Sequence, residues 1–240
     1  MTLPHIVFLP GLVCDHAIWP AQQAGLANFG NSQVIDYGDL DSLSAMAELV
    51  LAQSSRRFVL IAHSMGGRVA IEVMRQAPER VIALALLDTG YRPRLPGEVG
   101  EKEQAQRYAL LDLAKTQGMR VMGRQWLQGM VHPDRLNDET LVNAILDMIE
   151  RKTPEIFAAQ IKALLDRPDA VPVLKSIRCP TLVMCGREDR WAPLAQHQEI
   201  AALIPGSRLA VIDQSGHMST MEQPEAVTTA LRSWMADIGV

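Results

Sequence analysis

The sequence predicts an α/β fold: a mostly parallel, doubly wound sheet with a helical lid inserted between two of its strands. Three observations carry that expectation. Continuously apolar runs at residues 6–9, 58–62, 81–87 and 181–185 read as strands buried on both faces, as in a parallel sheet. Helical stretches alternate with them, giving a strand–helix–strand rhythm. Between residues 92 and 170 the strand signal stops, and helical stretches follow one another.

The first strand, residues 6–9, ends at Pro10-Gly11, a turn signal. A second short strand over residues 33–37 leads into the acidic loop Gly38-Asp39-Leu40-Asp41. Ser42 reads as the cap of a helix over 43–52, where Met46, Leu49 and Val50 form an apolar stripe. Strand 58–62, a helix over 65–77 stopped by Pro78, and strand 81–87 come next. Helices are expected over 102–116, 120–129, 137–151 and 154–165. The parallel rhythm resumes with strand 181–185, a helix near 195–203, strand 208–212 and a terminal helix over 224–237. This divides the chain into a core of residues 1–91 and 171–240 and a helical cap of residues 92–170. An insertion at that point covers the carboxyl edge of the sheet, where ligands bind in open α/β folds.

Composition narrows the function. The chain has 240 residues, 48% hydrophobic and 21% charged, with 23 basic and 27 acidic side chains for a net charge of −4. With aromatics at 5%, it lacks the basic, ring-bearing footprint of a nucleic-acid binder. No apolar run approaches the length of about 18 residues that a spanning helix needs. The first basic residue is Arg56, so the charged start of a secretory signal is missing. Cys14, Cys179 and Cys185 form no CxxC motif and no paired framework. The expectation is a cytoplasmic protein, monomer or homodimer, acting on a small molecule without membrane or nucleic-acid partners. The six histidines show no metal-ligand spacing, so no metal is expected.

The most informative segment runs from Phe58 to Gly67. A buried strand feeds Ser64, a helix follows at once, and the residues two positions either side are Ala62 and Gly66. A sharp strand-to-helix turn admits only small residues there and lifts a serine hydroxyl to the sheet edge. A serine in this place also caps helices, so the nucleophile reading needs a base and an orienting acid. Of the downstream histidines, His132 lies in the inserted block and His197 in a helix with exposed-looking neighbours. His217, in Ser215-Gly216-His217 just after the last strand, is the expected base. Asp189, directly after strand 181–185, is the expected acid. Asp88, at the end of strand 81–87, ranks second, ahead of Glu188 and Asp213. The oxyanion of an acyl-transfer intermediate needs two N–H donors. Met65, the residue after the nucleophile, supplies one, and the loop Leu9-Pro10-Gly11-Leu12 supplies the other through Leu12.

Taken in order, Leu9-Pro10-Gly11, His63-Ser64-Met65-Gly66-Gly67, Gly186-Arg187-Glu188-Asp189 and Ser215-Gly216-His217 resemble the α/β-hydrolase family, and within it the small, lidded, esterase-like members. Two departures stand out: Pro10 occupies the place where many members carry histidine, and Ala62 replaces the first glycine of the elbow. The resemblance implies no cofactor, and substrates among esters, lactones, thioesters and some carbon–carbon bonds. The first functional expectation is therefore a serine hydrolase of small carboxylic esters with Ser64, Asp189 and His217 catalytic. The second is a lyase resembling the menaquinone-pathway enzymes of the same fold, or a lactonase or thioesterase, acting on a carboxylate-bearing metabolite. Arg68, four residues after Ser64, motivates it, with Arg124 as a second clamp. A catalytically silent binding module is the third. Trp19, Trp126 and Trp191 are expected at the cleft or as packing, and Met119, Met122, Met130 and Met148 as adaptable lining or plain core. Between Arg92 and Arg135 the lid holds eight basic and five acidic residues, a bias toward acidic substrates.

Overall fold

The computed structural model describes residues 3–239. Six strands form one parallel sheet: β1 (His5–Leu9), β2 (Ser32–Val34), β3 (Phe58–His63), β4 (Val81–Leu87), β5 (Thr181–Gly186) and β6 (Arg208–Ile212), in spatial order β2-β1-β3-β4-β5-β6. The helices are α1 (Pro20–Gly25), α2 (Leu43–Gln53), α3 (Met65–Gln76), α4 (Glu98–Gln117), α5 (Met119–Leu127), α6 (Glu139–Glu150), α7 (Pro154–Leu165), α8 (Val171–Ser176), α9 (Leu194–Leu203), α10 (Ser219–Glu222) and α11 (Pro224–Asp237).

Strand chemistry sets the layers. Every residue of β3 and β5 is buried, and β4 is buried except at Ile82, as expected for strands covered on both sides. Right-handed crossovers then fix the faces. The step from β1 to β2 runs in one direction along the sheet, and the later steps run in the other. The α1 crossover therefore lies on one face, joined by α11, which packs against it. On the opposite face α2, α3, α8 and α9 pack in series. The direction reverses between β1 and β3, so the loops leaving these two strands open a crevice at the carboxyl edge. Ser64 and the Pro10-Gly11 turn sit there.

Helices α4, α5, α6 and α7 form the insertion between β4 and β5, with α4 against α5 and α7, and α5 against α6. Asp138 and Thr153 cap α6 and α7 by accepting the Leu141 and Ile156 amides. Helix α4 starts at Glu98, earlier than expected, just after Gly97 at φ +68°. Strand β2 is shorter than the expected 33–37. Ile35 still donates to the Phe8 carbonyl, but Asp36 accepts the Gly38 amide and Gly38 turns left-handed, which leads the chain off the sheet. Three short helices, α1, α8 and α10, were not expected, because four to six residues show no helical period.

Candidate active site

The elbow at Ser64 is held against backbone strain. Ser64 has φ +54° and ψ −116°, a conformation that side-chain-bearing residues avoid. Its amide donates to the Leu87 carbonyl at 2.9 Å, and Thr89 Oγ1 donates to its carbonyl at 2.6 Å. Gly66 lets α3 approach the Leu9 and Pro10 carbonyls, and Gly67 lies against Thr89. A Cβ at either position would collide. Ala62, fully buried in β3, fits the place of the missing elbow glycine.

Ser64 Oγ donates to His217 Nε2 at 2.7 Å, and His217 Nδ1 donates to Asp189 Oδ2 at 2.8 Å. Asp189 Oδ1 accepts the Trp191 and Ala192 amides at 2.8 and 2.9 Å. This is the geometry of a serine–histidine–aspartate triad, and it fixes the histidine tautomer with Nε2 facing the serine. Burial opposes charge on both partners, yet their attraction wins. It lifts the His217 pKa above the ordinary imidazole value, while His217 and the two amides hold the Asp189 carboxyl below the usual carboxylate range.

The loop carrying His217 is clamped from several sides. The His217 amide donates to the Met130 carbonyl at 2.6 Å, and its carbonyl accepts His63 Nε2 at 2.8 Å. Glu222, buried on α10, accepts the Gly216 and Met218 amides through Oε1 and the His132 amide through Oε2, at 3.0, 3.1 and 2.7 Å. Glu222 and His63 escaped sequence reasoning. His63 stood next to Ser64, but no local pattern marks Glu222, whose partners are backbone groups from two segments.

The rival groups have other work. Asp88 accepts from Ser219 Oγ and from the Gly186 amide at 2.9 Å, and makes no hydrogen bond to His217. Burial, then the Asp189 charge, raises its pKa to about 8. Glu188 accepts the Ser215 amide, and Asp213 pairs with Arg187 at the surface. His197 is fully buried rather than exposed, and its Nε2 accepts the Thr89 amide at 2.9 Å. Burial lowers its pKa to about 4.

A cavity of about 310 Å³ opens over Ser64 and His217, and Leu12, Met65, Trp126 and Trp191 line it. Met65 opens α3, so its N–H has no acceptor within the helix. The Trp126 and Trp191 rings lie 4.9 Å apart, and Trp191 lies 5.6 Å from the His217 ring. Arg68 also lines the cavity. Arg124 does not: it is exposed on α5, because the buried stripe of that helix runs through Met122, Gly123, Trp126 and Leu127. Met119, Met122, Met130 and Met148 are buried in the core and none lines the cavity. Among the described residues, no group of three or more histidine, cysteine, aspartate or glutamate side chains converges as a metal site. No helix among them is long and apolar enough to cross a membrane.

Residues 6–230 match the alpha/beta hydrolase family, and the chain belongs to that family. With the triad geometry, this defines an enzyme of the hydrolase and esterase type. It is 27% identical to the pimeloyl-[acyl-carrier protein] methyl ester esterase of Aromatoleum aromaticum, over 77% of this chain and 76% of the relative. It is 23% identical to the 2-succinyl-6-hydroxy-2,4-cyclohexadiene-1-carboxylate synthase of Serratia proteamaculans, over 92% and 85%. Among solved structures, a thermophilic esterase from Thermogutta terrifontis, with malate bound, superposes with a TM-score of 0.86 at 28% identity, covering 100% of this chain and 92% of that one.

Proposed function

We propose that the protein hydrolyses small carboxylic esters through an acyl-enzyme on Ser64. The observation that carries this reading is the continuous hydrogen-bonded chain Ser64–His217–Asp189 at the floor of the cavity. His217 takes the Ser64 proton as Oγ attacks the acyl carbon, and the Leu12 and Met65 amides stabilise the oxyanion. The protonated His217 then gives its proton to the leaving alcohol. In the second half it activates water, which releases the acid and regenerates Ser64. Asp189 keeps the tautomer and stabilises the imidazolium. The esterases among the relatives and solved structures support the reading.

Ser64→Ala is expected to lower kcat on p-nitrophenyl esters by about 10,000-fold or more, and to abolish labelling by a fluorophosphonate. Retained turnover or labelling would reassign the nucleophile. The lyase reading is supported by Arg68 inside the cavity and by the synthase among the relatives. Robust turnover of neutral p-nitrophenyl acetate by the wild type decides in favour of hydrolysis.

A further inference from the structure

Gln160 is a polar side chain in an apolar place. It sits on the buried face of α7 with Phe157, Ile161 and Leu164, and it is 1% exposed. A buried amide without partners is costly, so a glutamine kept there has to be answered by other polar groups. Both of its ends are. Oε1 accepts the Val13 amide at 2.8 Å, and Nε2 donates to the Gly38 carbonyl at 3.4 Å. Each partner is a backbone group of the core, Val13 following β1 and Gly38 following β2.

Val13 is a residue that needs holding. It is fully buried with φ +51°, a region that β-branched residues avoid. It is the third residue of the turn Gly11–Cys14, closed by the Cys14 amide donating to the Gly11 carbonyl at 3.1 Å. Leu12, the second residue, lies outside the positive-φ region. These signs are those of a type II turn, in which glycine is the usual third residue; the commoner type I turn has negative φ there. The two types differ by a rotation of the central peptide, here the one joining Leu12 to Val13. The N–H of that peptide is the group Gln160 accepts. Without this acceptor, the valine would relieve its strain by turning the peptide over.

The turn is also the one that carries an oxyanion donor in the esterase reading. It presses on the elbow: a Cβ added to Gly11 would stand 3.1 Å from Ser64 Cβ and 2.9 Å from His63 Nδ1. Leu12 lines the cavity beside Ser64, and among the described residues its amide donates to no protein acceptor. Neighbouring ties steady the same stretch. Arg151 forks onto Asp15 at 2.8 and 3.0 Å, Lys152 pairs with Asp36, and the Tyr37 hydroxyl donates to the Pro10 carbonyl at 3.3 Å. Of these ties from the inserted helices, only that of Gln160 grips the backbone of the turn.

We propose that Gln160 is a positioning residue for ester hydrolysis: from the inserted helices it locks the strained Leu12–Val13 peptide and so keeps the Leu12 amide aimed at the oxyanion. The proposal rests on the esterase reading, which places a donor at Leu12. The insertion thereby supports the chemistry as well as covering the cavity.

Gln160→Met keeps the length of the side chain and removes the acceptor. Its kcat on p-nitrophenyl acetate is expected to fall about 10- to 100-fold, less than the ~100- to 1,000-fold of a donor deleted outright. KM should stay within about two-fold, because the lost interaction belongs to the transition state. Amide exchange in peptides spanning residues 10–14, read by mass spectrometry, is expected to quicken. Adding Val13→Gly should restore part of kcat, since glycine holds a positive φ without help. Ile145→Ala, fully buried on α6 and away from the cavity, serves as the comparison for lost stability. It should lower the melting temperature and leave kcat of the folded protein unchanged. Unchanged exchange in Gln160→Met, quicker exchange with unchanged kcat, or no recovery with Val13→Gly each overturns the proposal. An equal fall of kcat in Ile145→Ala does so too, since activity would then follow stability alone. A wild type that neither turns over esters nor takes a fluorophosphonate label overturns the esterase reading and this proposal together; failure in an active wild type overturns the proposal alone.

Discussion

At the triad, two partners that burial would neutralise keep each other charged. The Asp189 carboxylate raises the His217 pKa, and His217 must be neutral to take the Ser64 proton. As pH falls through that raised pKa the base is lost, so the acid limb of kcat/KM is expected above the unperturbed imidazole value of about 6.5. Asp189→Asn should move that limb downward and lower kcat by about 10,000-fold. An unchanged limb in a pH–rate profile would show that another group sets it. Asp189 follows β5 and reaches His217, whereas Asp88 follows β4 and makes no hydrogen bond to it. Asp88 is occupied by Ser219 and Gly186, and burial and then Asp189 push its pKa up to about 8. Arg124 failed as a clamp because adjacent positions on a helix face different ways, and the buried stripe of α5 excludes it.

At the scale of elements, the elbow works because β1, β3 and α3 approach closely. Gly66→Ala would press a Cβ onto the Leu9 carbonyl, and overpacking of this kind costs about 1–3 kcal/mol. A lower denaturation midpoint together with reduced kcat is expected, since the same shift displaces Ser64. Leu60→Ala, in the fully buried centre of β3, should cost about 2–5 kcal/mol in denaturant unfolding, with kcat of the folded fraction retained. Elements with an apolar run or a repeating helical period were legible: β4, α7, β6 and α11 begin and end at the residues expected. The short α1, α8 and α10 were not, since they exist through packing and hydrogen bonds from other segments. Gln22 in α1, for instance, donates to the Thr220 and Pro224 carbonyls.

Across the whole molecule, the inserted helices and the His217 loop are joined through Glu222, which accepts amides from both. Arg135 adds a bond to the Glu222 carbonyl at 2.8 Å. Glu222→Ala would leave three amides without their acceptor, each costing about 1–3 kcal/mol if it stays buried. Lower thermal stability and a several-fold fall in kcat with KM little changed are expected. A change confined to KM would mean that the loop does not depend on this anchor. The insertion is also tied to the core by Arg151 to Asp15 at 2.8 Å and by Lys152 to Asp36.

By itself the sequence determined the sheet, the insertion and the order of Ser64, Asp189 and His217, because each is written in a local pattern: an apolar run, a turn between small residues, a loop after a strand. Tertiary structure alone decided which distant side chains meet. Arg107 and Arg167 are distant in the chain, and only folding brings them onto one Glu103, with Arg68 and Arg167 sharing the Arg92 carbonyl. The same holds for the clamps on His217, where His63 and Glu222 act on backbone groups that no side-chain pattern reveals. Local chemistry fixes which groups exist and which element bears them. Whether a charge is paired or an amide satisfied depends on neighbours that the fold supplies.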